Sequence, residues 1–162
     1  DQFDGGEVLV SGLEFSLVNS FGVGAIDFPV DIKYTWTNEA EFKNTFNSSF
    51  GPWGNVQFGD ELPYIPEHQF NLSVGFLKNK WSSFMNVNYV DEVCVRASCG
   101  QFEITDSSLT VDISAHYALS DNLDIYGKVE NVTGEEDIMG RQPYGARPNK
   151  DTTASLGVRL AF

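Results

Sequence analysis

Hydrophobic and polar residues alternate along most of this chain. The C-terminal run TTASLGVRLAF sets Ala154, Leu156, Val158, Leu160 and Phe162 against Ser155, Gly157, Arg159 and Ala161, the period of two that a strand with unlike faces requires. In LDIYGKVEN, Leu123, Ile125, Gly127 and Val129 oppose Asp124, Tyr126, Lys128 and Glu130. In LTVDISAHYAL, Leu109, Val111, Ile113, Ala115, Tyr117 and Leu119 oppose Thr110, Asp112, Ser114 and His116. The same period runs through WSSFMNVNY from Trp81, HQFNLSVGF from His68, PVDIKYTW from Pro29 and VSGLEFSLVNS from Val10. Seven strands are predicted, and no segment carries a helical period.

The connections alternate in length. LKNK between Phe76 and Trp81, and SDN between Leu119 and Leu123, are tight turns of the kind that join antiparallel neighbours. Residues 47–66, 96–106 and 132–150 are rich in Gly, Pro, Asn and Asp and predict long irregular loops. The stretch from Phe21 to Phe28 is intermediate and belongs by parity with the short turns. Short turns thus fall on one rim of the sheet and long loops on the other.

The content of the polar face decides between a soluble sandwich and a membrane barrel. Asp31, Lys33, Asp112, His116, Lys128, Glu130 and Arg159 occupy mid-strand positions on it, while the opposite face is almost free of charge. Trp81, Tyr117 and Phe162 fall at strand ends beside the short turns, and Tyr34, Trp36 and Tyr89 toward the long loops, which suggests two aromatic girdles. Strands of about 9–12 residues suit a tilted crossing of a bilayer. The pattern favours a transmembrane barrel. Two rivals are a small self-contained outer-membrane barrel with a structural or adhesive role, and a soluble all-β binding module. An odd strand number cannot close a bacterial single-chain barrel, so either a further strand lies near residues 1–9 or, as the expectation here, the chain is a piece of a larger barrel. It opens at DQFDGG without a targeting segment.

Composition narrows the partners. The 162 residues carry 23 Asp+Glu against 10 Lys+Arg, a net charge of −13, and no basic cluster that would bind nucleic acid. A hydrophobic fraction of 41% is too high for a disordered chain.

Several segments resemble the TonB-dependent outer-membrane receptors. GDELPYIPEHQFNLSVGF at 59–76 is similar to that family's strand descending from a long external loop, and WSSFMNVNYVDE to the next ascending strand. IYGKVENVTGEED at 125–137 resembles its Val-Glu-Asn segment, with Asn131 in the Asn position. Ile138 and Met139 depart from the aromatic common there. RQPYGARPNKDTTASLGVRLAF, with Gly145, Arg147 and Pro148 before a strand ending at Phe162, resembles the terminal loop and strand. The resemblance implies an all-β fold, an antiparallel transmembrane β-barrel, with residues 1–162 supplying about the last seven strands of a 22-stranded plugged barrel. The plug domain and N-terminal strands would then be absent. It further implies residence in the bacterial outer membrane, contact with its lipid, and TonB-driven import of a scarce nutrient such as a ferric siderophore, the TonB complex acting through the missing plug. Phe162 would be the terminal aromatic signal read by barrel-assembly machinery. The charged residues of the polar face would line the wall against the plug.

Candidate chemistry is sparse. No nucleophile motif accompanies His68 or His116, so no catalytic residue, enzymatic activity or cofactor is expected. Cys94 and Cys99, in CVRASC, could close a small disulfide loop in an oxidising compartment or remain free thiols; with two scattered histidines they make a poor zinc site, and no metal site is expected. Glu135, Glu136 and Asp137 lack the ligand spacing of a calcium loop and are expected to be solvated. Ligand-contact candidates are the loop residues Trp53, Phe58, Arg141, Tyr144 and Arg147, because aromatic faces and guanidinium forks suit an anionic chelate.

Overall fold

The computed structural model describes residues 6–48, 53–97, 99–142 and 145–161. Tyr144 and Phe162 lie outside the described residues. Seven long strands form one antiparallel sheet: β1 (Val8–Val23), β2 (Ile26–Phe42), β5 (His68–Lys78), β6 (Trp81–Val90), β7 (Ser108–Ser120), β8 (Leu123–Glu130) and β11 (Thr153–Leu160), in the order β1-β2-β5-β6-β7-β8-β11. Each strand lies beside its neighbour in the chain, as alternate short and long connections dictate. The four remaining strands are short and sit in the loops: β3 (Phe46–Ser48) pairs with β4 (Gly54–Val56), and β9 (Ile138–Gly140) with β10 (Arg147–Pro148). Two loops expected to be irregular therefore contain small hairpins.

All three short turns have two residues: Gly24-Ala25, Asn79-Lys80 and Asp121-Asn122. The intermediate connection after Phe21 is thus as tight as the others. Gly24 (φ +62°) and Asn79 (φ +51°) take up the left-handed backbone at the first turn position, which glycine and asparagine tolerate.

The register keeps each face continuous across the sheet. One row of facing residues runs Leu17, Ile32, Leu72, Val87, Val111, and its neighbour on the other face runs Ser16, Lys33, Asn71, Asn88, Thr110. On the polar face Asn71 Nδ2 donates to Asn88 Oδ1 at 2.5 Å. On the apolar face Trp81 and Tyr117 meet across β6 and β7 with ring centroids 4.6 Å apart, and Phe28 and Phe76 at 5.8 Å, all close to the short turns. Tyr34 stacks on His68 at 6.0 Å toward the long loops, where Tyr89 Oη donates to Asp91 at 2.7 Å.

Strands β1 and β2, of 16 and 17 residues, outrun the expected length. The alternation ends near Trp36, after which β2 reads Thr37, Asn38, Glu39, Ala40, Glu41. A shift of register between Ser11 and Gly12, facing Thr37 to Glu39, marks that change. At about 3.3 Å per residue, such strands are longer than a tilted crossing of a bilayer's apolar layer would need. The hairpin thus continues beyond its apolar belt on the long-loop side.

Glycines on the polar face make room for rings. A Cβ at Gly157 would lie 2.3 Å from the Tyr126 ring, and one at Gly75 2.7 Å from Phe84 and 2.5 Å from Pro29. Gly157 faces Tyr126 and Gly75 faces Phe84 in register. These two apolar rings on a polar face therefore lie over bare backbone, shielding it.

Candidate functional site

The long-loop rim is a connected layer rather than a set of separate loops. At the end of β2, Phe42 is 2% exposed and packs with Val56 and Ala97, while Phe46, Trp53 and Leu62 cover the cluster. Ring centroids are 5.6 Å apart for Phe42 and Phe46, 5.9 Å for Phe42 and Trp53, and 6.4 Å for Phe46 and Trp53. Aromatic pairs at such separations add roughly 0.5–1.5 kcal/mol each to the burial itself. They hold the β3-β4 hairpin against the top of β2.

The next loop is tied to the first. Cys94 and Cys99 are bonded to each other, with Cα atoms 5.6 Å apart, and Ala97 inside that ring joins the aromatic cluster. The Tyr64 amide donates to Cys94 O at 2.9 Å and the Leu62 amide to Ala40 O at 2.8 Å. A 3-10 turn at Gln101–Glu103 is fastened by Gly100 N to Glu103 Oε2 at 3.1 Å and by the Arg96–Glu103 ion pair at 3.2 Å. It presents Phe102 at 83% exposure.

The last loop leans on the second. Arg141 Nε donates to Ile104 O at 2.6 Å, and Asp106 exchanges two bonds with Ile138, its amide donating to Ile138 O at 2.9 Å and its Oδ2 accepting from Ile138 N at 2.7 Å. Its root is Asn131, 3% exposed and at φ +49°. The Asn131 amide donates to Asp112 Oδ1 at 2.9 Å, and its Nδ2 to Glu135 O and Lys150 O at 2.8 and 2.9 Å. Its Oδ1 accepts from Thr133 Oγ1 and Glu135 N, and its carbonyl from Thr152 Oγ1 at 2.7 Å. Asn131 thus ends β8, turns the chain and joins both ends of the loop. Beside it an ion-pair chain runs along the polar face: Asp112 to Lys128 at 3.7 Å, Lys128 to Glu130 at 2.9 Å and Glu130 to Lys150 at 2.5 Å.

Clefts open in this layer among the described residues. One of about 450 Å³ is lined by Thr37, Ala40, Leu62, Ile65, Val93 and Ile104 with Glu61, Glu67, Asp91 and Glu92. A second of about 280 Å³ lies where Met139 and Lys150 meet Asn88, Thr110, Asp112 and Glu130.

The predicted contact residues fall at different places in the layer. Trp53 is half-buried in the aromatic cluster. Phe58 is 67% exposed, with Lys43 Nζ 5.4 Å from its ring centroid. Arg141 is half-buried against Ile104, whereas Arg147 is exposed and its Nη2 donates to Gln142 O at 2.6 Å. None of the four lines either cleft. Sequence reasoning missed Asn131 as an organiser and Phe102 as an exposed ring. His68 Nδ1 is bonded to Tyr34 Oη at 3.0 Å, and His116 pairs with Asp124 at 3.4 Å. Among the described residues no group of three or more His, Cys, Asp or Glu is placed to hold a metal ion, and no helix is long and apolar enough to cross a membrane.

The sheet resembles solved barrels. It overlays the ferric-catecholate import receptor Fiu from E. coli K12 with a TM-score of 0.71 at 23% identity, covering 94% of this chain and 21% of that one. It overlays the siderophore receptor PiuA from Acinetobacter baumannii with a TM-score of 0.73 at 17% identity, covering 93% and 21%. At such identities the likeness concerns the fold, and the chain spans about a fifth of either receptor. No curated protein matches it. The family model described as TonB dependent receptor-like, beta-barrel, matches residues 2–132. With most of its length so matched and its seven strands a partial barrel, the chain belongs to the TonB-dependent receptor β-barrel family.

Proposed function

We propose that residues 1–162 form the C-terminal part of the barrel of an outer-membrane importer, driven through the TonB complex by way of a plug domain, whose cargo is a ferric siderophore or similar iron chelate. The observation that carries this reading is the single sheet with one apolar and one polar face, roofed on one rim by a cross-linked loop layer. Among the described residues no second layer covers the apolar face, as a soluble sandwich would need. Strands β1 and β11 lie at opposite edges and are not paired with each other, as a self-contained barrel would need. Lipid on one face and a plugged lumen on the other satisfy both demands.

In this reading the loop layer meets the cargo, and Asp31, Lys33, Asp112, Lys128, Glu130 and Arg159 face the plug. Their pairing helps set how easily the plug moves, since a charge taken from its partner inside a narrow lumen is costly. Barrel-assembly machinery would insert the whole.

The test is uptake by cells carrying the intact protein, with ferric catecholate and ferric citrate as labelled probes. Accumulation of at least one is expected, abolished when TonB is deleted, with the intact polypeptide several times heavier than the 18.0 kDa of this chain. A polypeptide near 18.0 kDa, or accumulation indifferent to TonB, would overturn the reading.

A further inference from the structure

The cations that the strands turn toward the polar face are nearly all spent on carboxylates of the same wall. Lys33 pairs with Asp31 at 3.2 Å, Lys128 with Glu130 at 2.9 Å and with Asp112 at 3.7 Å, and His116 with Asp124 at 3.4 Å. Arg159 is the exception. It faces Asp124 in register across β8 and β11, yet Asp124 lies with His116, and among the described residues no ion pair joins Arg159 to a carboxylate. Glu14 and Asp27 also lack such a pair, but β1 and β2 stand at the far side of the sheet from β11.

The wall around Arg159 is low. Its neighbours two residues away are Gly157 and Ala161, and the Tyr126 ring lies flat over Gly157, where a Cβ would be 2.3 Å from it. Arg159 is therefore exposed, beside the last short turn. A guanidinium keeps its charge at any working pH, and a charge shut away from water without a partner is costly. Since the described wall supplies no partner, the occupant of the lumen has to.

We propose that Arg159 is a docking contact for the plug domain, its planar fork taking a carboxylate that the plug presents at the short-turn end of the lumen. This rests on the import reading above. It sets Arg159 apart from Lys33 and Lys128, whose charges the wall already meets. A pairing of fork and carboxylate is bidentate and directional, so the contact orients the plug as well as holding it.

The test is hydrogen exchange of the intact receptor in outer-membrane vesicles, which reports plug peptides and strand peptides separately. Arg159→Gln removes the charge; Arg159→Lys keeps it and loses the fork. In the Gln variant one plug segment containing Asp or Glu is expected to exchange roughly tenfold faster, with the Lys variant between it and the wild type. Added salt should speed the same segment in the wild type by screening the pair and leave it unchanged in the Gln variant. The strands should exchange alike in all three proteins. Unchanged plug exchange in the Gln variant would overturn the proposal, and so would a salt response that survives in that variant. Faster exchange confined to β11 and the strand closing against it, or failure of both variants to assemble, would assign Arg159 to the barrel's own seam and overturn it too. Slower cargo uptake with an unaltered plug would assign it to the cargo's path instead, with the same consequence. An intact polypeptide with no domain inside its barrel would overturn the import reading and this proposal together.

Discussion

Replacing Asn131 with alanine is expected to destabilise the protein by about 3–4 kcal/mol, because two penalties coincide. The first is polar. Glu135 O and Lys150 O would lose their donor, and Thr133 Oγ1 and Glu135 N their acceptor, in a place where the residue itself is 3% exposed. A buried group left unpaired costs roughly 1–3 kcal/mol. The second is conformational, since at φ +49° alanine enters the left-handed region at a cost of roughly 1–2 kcal/mol. Asn131→Gly removes only the polar part and should fall between the wild type and the alanine variant. Hydrogen exchange over residues 132–150 would report the same order locally. Equal unfolding midpoints for all three proteins would show that the loop is held without Asn131.

Removing the Cys94–Cys99 bond should loosen two loops at once. The ring it closes has a sequence separation of 5, which by chain entropy is worth about 2 kcal/mol. Much of that effect is local, because Ala97 seals the cluster of Phe42, Val56 and Trp53 while Cys94 O anchors the Tyr64 amide. In a Cys94→Ser, Cys99→Ser variant, amide protection is expected to fall at 91–105 and also at 54–64, on the neighbouring loop. The central strands β6 and β7 should be unaffected. Loss confined to 91–105 would mean that the loops are independent and the layer is not one unit.

The seven strands were legible because their two faces meet different surroundings, so the period of two is strong from Leu13 to Trp36 and from Phe70 to Tyr89. The extension of β2 was not, since beyond Trp36 the strand leaves the apolar belt and packs into the loop layer through Phe42, and Asn38-Glu39-Ala40-Glu41 carries no alternation. The hairpin of β3 and β4 depends on Phe42 and Ala97, residues distant in sequence, and the pairing of Arg147 and Pro148 with β9 is too short to leave a pattern. Asn131 was visible as part of a family-like segment, but its role rests on partners at 112, 135, 150 and 152 that no local signal announces. Trp53 illustrates the converse. An aromatic in a Gly-rich loop suggested ligand contact, and the fold sets much of that ring against Phe42 and Phe46. The left-handed backbone of Tyr64 is equally invisible within LPYIP.

The central claim is that one face of this sheet meets lipid and the other a water-filled lumen. Strand β7 is the place to test it, because β6 and β8 flank it on both sides. Single spin labels at residues 110–115 of the intact protein in its native outer membrane would be read against oxygen, which partitions into lipid, and a water-soluble nickel chelate. The account predicts strict alternation, with Val111, Ile113 and Ala115 open to oxygen and Thr110, Asp112 and Ser114 open to the chelate or shielded from both by the plug. Labels at 111, 113 and 115 that are closed to oxygen, or six positions without a period of two, would contradict it.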